Sequence, residues 1–287
     1  VDGSRIRFTT IDATYTCSTH EAFCSVEVAG AIDPMAIPSP DGRWLAFVQD
    51  YNLWVRAADG SMRFALTTDG AANHAYAATP DGNPLVTESV IHGRPVAPVV
   101  LWSPDSKRLF TQRVDQRQVR ETSLVQSAPP DGGAPPRTFS WRYPMATDAA
   151  LPSAEPWVFD VVERSGHRID VEPIPALVTT SIEAKEAWWS PDSRRFYLYA
   201  RARYYKTARL YEVDGATGRA RTVIEETGKT FVEAASIGQR PMVYTLANGK
   251  IIWFSERDGR GHLYLYDGAS GRLERQLTSG AWSVRGV

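Results

Sequence analysis

The sequence predicts an all-β protein of the β-propeller class, and three observations lead to this prediction. A Ser-Pro-Asp turn that opens an alternating strand recurs along the chain, a hairpin with a Gly-containing turn recurs between its copies, and helix signals are scarce. Repetition of one supersecondary unit every few tens of residues is typical of propellers and solenoids, because a single copy cannot bury its own apolar face.

The first repeated unit is a tight turn followed by a strand. Its copies begin at Ser39, Thr79, Ser103 and Ser190. Pro fixes φ near the value that the second turn position needs, Asp can accept a hydrogen bond from the backbone two residues on, and Gly or Ser closes the turn. Each copy therefore predicts a hairpin-scale turn at the start of a strand.

The second repeated unit consists of two strands that a Gly-containing turn joins. Its copies begin at Leu53, Trp157, Leu210 and Leu263. Joining the two units in chain order gives a four-stranded antiparallel blade of roughly 40 to 45 residues. We therefore predict about five blades, near residues 1–30 (incomplete), 31–70, 98–176, 186–227 and 230–280.

Pro and Gly mark the irregular parts. Residues 128–136 and 149–156 interrupt the long blade 98–176 and are predicted to be surface loops, and residues 71–98 are predicted to separate two blades. Residues 182–186 could form one helical turn. Trp102 and Trp189 stand directly before Ser-Pro-Asp copies, and we expect them to pack where neighbouring blades meet.

Composition limits the partners. The 287 residues are 43% hydrophobic and 23% charged, which is typical of a globular protein with a sizeable core. Lys and Arg number 32 against 33 Asp and Glu, so the net charge of −1 favours neither nucleic acid nor an anionic membrane. No run of 18 apolar residues predicts a membrane span. The chain begins with neither Met nor a signal-peptide pattern, which favours a piece of a longer protein.

The two cysteines, Cys17 and Cys24, lie in flanking strand-like runs. An antiparallel hairpin around residues 18–22 would place their thiols opposite each other, and a disulfide would favour an oxidising compartment. Two reduced, buried thiols explain the sequence equally well, so both possibilities stay open here.

The sequence contains no complete catalytic constellation, so no catalytic residue is assigned. A Gly-x-Ser-x-Gly elbow is absent, and the histidines are scattered without a zinc-binding pattern, so no metal and no cofactor are predicted. The adjacent Glu225 and Glu226 end a predicted strand and indicate a solvated edge. Glu88 is a carboxylate in the segment between blades, near His92 and Arg94, without a partner fixed by the sequence.

Several runs resemble the N-terminal propeller of the dipeptidyl peptidase IV branch of the prolyl oligopeptidase family. They are Leu-Trp-Ser-Pro-Asp at 101–105, Arg-Tyr-Pro-Met-Ala at 142–146, Trp-Trp-Ser-Pro-Asp at 188–192, and Leu-Thr-Ser-Gly-Ala-Trp-Ser-Val at 277–284. The resemblance extends from about Asp33 to Val287, and it implies that the parent propeller has eight blades, of which this chain contains a part. The order of these runs and the position of the long insertion are more specific than any single run.

The resemblance implies a secreted or periplasmic serine peptidase whose catalytic Ser, Asp and His lie in a separate C-terminal α/β-hydrolase domain. The propeller would then be a non-catalytic gate that selects short peptides, with release of N-terminal dipeptides as the narrower expectation. The family binds the substrate amine with an aromatic residue and tandem Glu. The corresponding interval 71–101 contains Glu88 as its one Glu, so the tandem pair is not carried over and Glu88 is the substrate-binding candidate.

Other functions stay open. A non-enzymatic protein-interaction or binding propeller is the main alternative, because a fold does not fix a function. A glycan-processing propeller enzyme is weaker, because the repeats place no carboxylate pair. An unclosed propeller would leave strand edges free, which predicts either a homodimer or aggregation of the chain. The sequence does not determine the peptide specificity or whether the ring closes.

Overall fold

The computed structural model describes residues 4–9, 13–28, 33–130, 132, 135–233 and 240–286. Nearly all regular structure in these ranges is antiparallel β-sheet, as the repeats predict. At the N-terminal end, three strands form a sheet in chain order: β1 (Arg5–Thr9), β2 (Ala13–Ser18) and β3 (Cys24–Val28).

Three further sheets each contain four strands that pair in chain order. Sheet one consists of β4 (Ala36–Pro38), β5 (Trp44–Gln49), β6 (Asn52–Ala57) and β7 (Arg63–Ala65). Sheet three consists of β16 (Ala187–Trp189), β17 (Arg195–Arg201), β18 (Thr207–Asp214) and β19 (Ala220–Thr227). Sheet four consists of β20 (Val243–Thr245), β21 (Lys250–Ser255), β22 (His262–Asp267) and β23 (Leu273–Gln276).

Sheet two lies between sheets one and three in the chain and has divided outer strands. At one edge, β8 (His74–Tyr76) and β9 (Val100–Trp102) pair with different parts of β10 (Arg108–Asp115). Next to β10 lies β13 (Ser153–Asp160), and both β14 (Ser165–Arg168) and β15 (Ile174–Pro175) pair with β13. The sheet is therefore four positions wide, and β8 lies in the segment 71–98 that the sequence predicts to separate two blades.

The insertion in sheet two contains a separate two-stranded ribbon, β11 (Glu121–Gln126) and β12 (Arg137–Arg142). The prediction of a surface loop over 149–156 is wrong for its second half, because β13 begins at Ser153 and pairs along the whole of β10. Ala154, Pro156 and Val158 are buried at every second position, so the strand periodicity is present but the prolines obscure it.

Apolar side chains pack successive sheets against each other in chain order. In β10, Leu109 packs with Val55 of sheet one, whereas the next residue, Phe110, packs with Phe196 of sheet three at a ring-centroid distance of 4.2 Å. Successive side chains of a strand point to opposite faces, so β10 contacts sheet one with one face and sheet three with the other. Sheets three and four meet through a third cluster that includes Tyr199 and Trp253.

The two tryptophans lie at these boundaries, as predicted. The Trp102 indole Nε1 donates to the Ile37 carbonyl at 3.0 Å, and Trp189 Nε1 donates to the Leu101 carbonyl at 3.1 Å. Each indole therefore packs its ring in the core and donates its N–H to an outer strand of the preceding sheet.

Hydroxyl groups join the Ser-Pro-Asp turns of neighbouring sheets. The Asp41 backbone N–H donates to Ser106 Oγ, and the Asp105 N–H donates to Ser193 Oγ, both at 3.0 Å. Ser106 and Ser193 have φ of 62° and 59°, in the left-handed region that Gly42 occupies in the first copy. A serine at the glycine position thus supplies a contact between sheets that glycine cannot make.

We predict that Ser193→Ala lowers the free energy of unfolding by about 1 kcal/mol, because the Asp105 N–H loses its acceptor. Ser193→Gly also removes the hydroxyl, but glycine adopts the left-handed backbone without strain, so the decrease in the free energy of unfolding should be smaller. Urea unfolding followed by tryptophan fluorescence measures both. Equal losses in the two variants would contradict this explanation.

The connections between strands differ sharply at the two ends of the stacked sheets. At one end, which we call the turn end, all connections are short: 39–43, 58–62, 103–107, 161–164, 190–194, 215–219, 246–249 and 268–272. At the opposite end, the loop end, the connections 66–99, 116–152, 169–186 and 228–242 are long, and shorter ones lie at 50–51, 202–206 and 256–261. The loop end also carries the ribbon and a nine-residue helix, α1 (Pro84–His92).

Candidate functional site at the loop end

The prediction that a strand follows the turn at Thr79 is wrong, because the helix α1 follows it instead. The start and stop signals of this helix are nevertheless present in the sequence. Asn83 caps the helix by accepting a hydrogen bond from the Leu85 N–H at 2.9 Å, and Pro84 occupies the first turn. Gly93, at φ 66°, ends the helix and donates its N–H to the Ser89 carbonyl. The Asn-Pro start and the Gly stop are the signals that could have located it. None of its residues is buried, so apolar periodicity gave no help.

Contacts to distant parts of the chain fix the start of α1. Asn83 Nδ2 donates to Glu183 Oε1 at 3.0 Å, across 100 residues of sequence. Glu183 is itself held at Oε2 by the N–H and the hydroxyl of Thr180. A Cβ atom on Gly82 would lie 2.2 Å from the Leu177 carbonyl oxygen, so glycine allows the two backbones to meet. The start of the helix is therefore fastened to the connection 169–186.

Asp81, just before the helix, joins α1 to the insertion of sheet two. Its Oδ1 accepts from Gln116 Nε2 at 3.0 Å, its Oδ2 accepts from the Arg142 N–H at 2.9 Å, and its own N–H donates to Gln116 Oε1. Both carboxylate oxygens are thus occupied, and Asp81 is a positioning residue of this region. Arg142, in the Arg-Tyr-Pro run, lies at the end of β12, which contacts α1.

Glu88, the predicted substrate-binding residue, lies on α1 with its carboxylate about half exposed. His92 Nε2 and Arg94 Nη1 each lie 3.7 Å from Glu88 Oε2, which is beyond hydrogen-bonding distance. The structure therefore brings together the three residues that the sequence analysis grouped. The carboxylate keeps its acceptor capacity for a cationic group such as a peptide ammonium.

A cavity of about 450 Å³, which we call the α1 cavity, lies between α1, the connections 50–51 and 66–99, and the end of β10. Val86 of α1 lines it, together with Tyr51, Asn73 and Ala77, which have φ of 66°, 60° and 52°. Ala77 is held by hydrogen bonds from its N–H to the Gln112 carbonyl and from the Val99 N–H to its own carbonyl. Left-handed residues that are not glycine cluster at functional sites, because the surrounding fold must hold them in place.

His74, on β8 beside this cavity, is a buried titratable group. Burial, and then the nearby positive charge of Arg113, lower its pKa below the ordinary value of 6.5, against the opposing carboxylates of Asp115 and Glu155. Its Nε2 lies 3.8 Å from Glu155 Oε2 and has no hydrogen-bond partner in the described part of the chain.

We predict that the protein loses stability as the pH falls from about 7.5 to about 5.5, and that His74→Gln reduces this loss. The folded protein binds the His74 proton less tightly than the unfolded chain, so the free energy of unfolding falls as the pH drops through the unfolded pKa toward the folded one. Urea titrations at the two pH values measure the difference, with His92→Gln, on exposed α1, as the matched control. The prediction would be refuted if the free energy of unfolding of His74→Gln fell between the two pH values by as much as that of the unmodified protein.

Cys17 and Cys24 lie opposite each other in β2 and β3, and the structure contains a disulfide between them with a Cα–Cα distance of 4.0 Å. Of the two possibilities that the sequence left open, the structure has the bonded one.

The prediction that Glu225 and Glu226 form a solvated edge is wrong for Glu226. Its side chain is 13% exposed and accepts hydrogen bonds from Trp253 Nε1 and Arg257 Nη2, each at 2.7 Å, and from the Ser255 hydroxyl. Glu225 is 49% exposed and pairs with Arg209 of the same sheet. Alternation along β19 directs the two neighbours to opposite faces, and sheet four covers one of them.

Within the described ranges, no cluster of three His, Cys, Asp or Glu side chains could hold a metal ion. In the same ranges, no helix has the length and apolar character needed to cross a bilayer.

Four antiparallel sheets of four positions each, packed face to face in chain order, define a protein of the β-propeller class. The loop end, with its helix and cavity, has the long connections on which rigid scaffolds most often carry binding residues. The chain belongs to the family described as the dipeptidyl peptidase IV (DPP IV) N-terminal region, whose sequence model matches residues 5–287.

Two solved structures share this fold. Dipeptidyl peptidase 4 from Porphyromonas gingivalis matches with a TM-score of 0.62 and 22% sequence identity over 95% of this chain and 36% of that chain. A putative dipeptidyl aminopeptidase IV from Bacteroides ovatus matches with a TM-score of 0.60 and 20% identity over 97% of this chain and 38% of that chain. This chain thus spans little more than a third of the length of either protein.

Proposed function

We propose that this chain is the substrate-gating propeller of a serine peptidase that cleaves short peptides, with release of N-terminal dipeptides as the narrower form of the proposal. In this arrangement, a C-terminal α/β-hydrolase domain of the same protein supplies the catalytic Ser, Asp and His. Family membership supports this proposal, since the family's description refers to a dipeptidyl peptidase.

The observation that carries the proposal is the asymmetry between the two ends of the stacked sheets. The turn end has only short connections in the described ranges, whereas the loop end has α1, the ribbon and the α1 cavity. Binding residues concentrate on long connections that a rigid scaffold positions. A gate that contacts peptides would therefore use the loop end.

Glu88 is the residue that we propose for binding the peptide amine. It lies on the loop end, its carboxylate is half exposed, and its two cationic neighbours lie 3.7 Å away rather than in hydrogen bonds. It does not line the α1 cavity. A single carboxylate at this place supports recognition of a free N-terminus but not the tandem-Glu mode of the family.

The test joins this chain to the native sequence that follows it and measures hydrolysis of short peptide amides, including Xaa-Pro and Xaa-Ala amides. We expect activity that depends on the propeller, and we expect Glu88→Gln to raise KM about fivefold, the ratio that an ion pair of about 1 kcal/mol gives. The matched control is Glu163→Gln, an exposed carboxylate at the turn end. No hydrolysis of any peptide in the panel would refute the peptidase function and favour a binding propeller.

We also propose a periplasmic or secreted location, which the Cys17–Cys24 disulfide supports, because disulfides persist in oxidising compartments. Alkylation of the unfolded, unreduced protein should label neither cysteine, and alkylation after reduction should label both. Labelling before reduction would remove this support.

The homodimer stays a prediction, which light scattering of the purified chain tests.

A further inference from the structure

A second cavity at the loop end is separate from α1 and is built from tyrosines. It has a volume of about 360 Å³, and its walls include Tyr143, Met145, Leu151, Val178, Tyr204 and Tyr205. We call it the tyrosine cavity. Pockets of this size and apolar character hold small ligands or the side chains of larger ones.

Its rim is unusually apolar for an exposed surface. Tyr143, Met145, Val178 and Tyr204 have exposed fractions of 42%, 49%, 43% and 68%. Exposed apolar surface gathered around a concavity marks an interaction site, because isolated exposed side chains do not converge in this way.

The backbone supplies a second, independent observation. Tyr204 and Tyr205 are consecutive and both left-handed, with φ of 68° and 56°. The fold holds them there, because the Tyr205 N–H donates to the Ala202 carbonyl and the Val232 N–H donates to the Tyr205 carbonyl. Glycine would make the same turn without strain, so the sequence keeps two aromatic rings at a conformational cost.

The guanidinium groups beside the cavity already have hydrogen-bond partners within the protein. Arg203 donates to the carbonyls of Asp148 and Ala149 and lies over the Tyr204 ring at 4.9 Å. Arg201 donates to Glu186 Oε1 at 2.7 Å and lies over the Tyr205 ring at 4.8 Å. Both guanidinium groups therefore pack against tyrosine rings and form hydrogen bonds within the protein. The apolar wall of the cavity is left to contact the ligand, and it suits an uncharged side chain.

An adjoining cavity of about 180 Å³ shares Leu151, Val178 and the 203–205 turn and reaches the Glu186–Arg201 pair. The Glu186 side chain is 10% exposed, and its Oε2 accepts no hydrogen bond from the described residues. Glu186 lines this adjoining cavity, so its free carboxylate oxygen can accept a hydrogen bond from a donor on the ligand, such as a peptide N–H.

We propose that the tyrosine cavity binds a bulky apolar side chain of a peptide, preferably an aromatic one, with Glu186 Oε2 accepting a hydrogen bond from the peptide main chain. The choice of a peptide as ligand rests on the proposed function. The preference for a bulky apolar side chain follows from the size of the cavity and from its aromatic wall. The free Glu186 Oε2 favours a main-chain N–H beside that side chain.

The test uses the full chain and three uncharged-terminus probes: N-acetyl-Gly-Phe-Gly amide, N-acetyl-Gly-Gly-Gly amide and N-acetyl-Gly-Asp-Gly amide. We expect titration calorimetry to show that the Phe peptide binds about tenfold or more tightly than the other two, as burial of one aromatic side chain predicts. Equal affinity for the three peptides, or no binding of the Phe peptide at millimolar concentration, would overturn the proposal.

Tyr204→Gly separates binding from folding. It removes the ring and relieves the left-handed backbone, so we expect an unchanged or higher Tm together with an affinity for the Phe peptide about tenfold lower. Leu124→Ala is the matched control, because Leu124 is 53% exposed on the ribbon and does not line the cavity. If Tyr204→Gly keeps the affinity of the unmodified chain, the cavity is not the binding site.

The two proposals fail in different ways. If the joined protein hydrolyses short peptides but the chain shows no preference for the Phe peptide, the tyrosine cavity is refuted and the peptidase function stands. If the chain binds the Phe peptide through Tyr204 but the joined protein hydrolyses nothing, the cavity stands as a peptide site and the peptidase function is refuted.

Discussion

Glu226→Ala is expected to lower the free energy of unfolding by roughly 3 kcal/mol, one of the two largest effects predicted here. Glu226 of sheet three accepts hydrogen bonds from Trp253 and Ser255 on β21 of sheet four. It also accepts one from Arg257 in the connection 256–261 between β21 and β22. Its removal leaves a fully buried indole N–H without an acceptor and a partly buried guanidinium without its carboxylate. The expected loss therefore exceeds that of a surface ion pair severalfold.

The adjacent residue provides the control. Glu225→Ala removes the same number of atoms from the same strand, but Glu225 is half exposed and its partner Arg209 lies within the sheet. We expect a loss of about 0.5 kcal/mol, as for other exposed pairs. Urea unfolding of the two variants under identical conditions measures the contrast. Comparable losses would mean that Glu226 does not fasten the two sheets.

Gly82→Ala is expected to lower the free energy of unfolding by about 3 kcal/mol and to disturb the loop end. The new Cβ would lie 2.2 Å from the Leu177 carbonyl oxygen, which is a backbone atom and cannot turn aside. Either the connection 169–186 or the start of α1 must shift. Hydrogen exchange should therefore become faster in α1, and KM for short peptides should rise in the joined protein.

Gly42→Ala controls for the loss of a glycine. Gly42 has φ 73° and nothing within 4 Å of the position of a Cβ, so alanine there adds backbone strain of roughly 1 kcal/mol without a collision. It lies at the turn end, so exchange in α1 should stay as in the unmodified protein. Equal acceleration of α1 exchange in both variants would show that the Gly82 contact does not position the helix.

Local chemistry made most of the fold predictable. The Ser-Pro-Asp copies at Ser39, Ser103 and Ser190 located strands of sheets one, two and three, because turn residues act within a few residues. The Gly-containing hairpins located strands in all four sheets. Trp102 and Trp189 were placed between sheets from their position before the turns, and the structure confirms this. The sequence does not predict α1, because the helix buries none of its residues and so has no marked apolar periodicity. It does not predict the start of β13, because Pro156 lies within that strand.

The candidate site was predictable only in part. The sequence predicts Glu88 together with its neighbours His92 and Arg94, because the three residues are close along the chain. The sequence does not predict the anchoring of α1 by Glu183, the burial of Glu226 or the tyrosine cavity. Each of these features depends on residues that are far apart in the chain.

By itself, the sequence of this chain determines the antiparallel sheets, their turns and their order, because each follows from interactions among neighbouring residues. The tertiary structure alone decides which of two adjacent glutamates is buried, and which loops meet to form a cavity. The physical reason is that burial and hydrogen-bond partners at the loop end come from separate sheets, and only their stacking brings those atoms within contact distance.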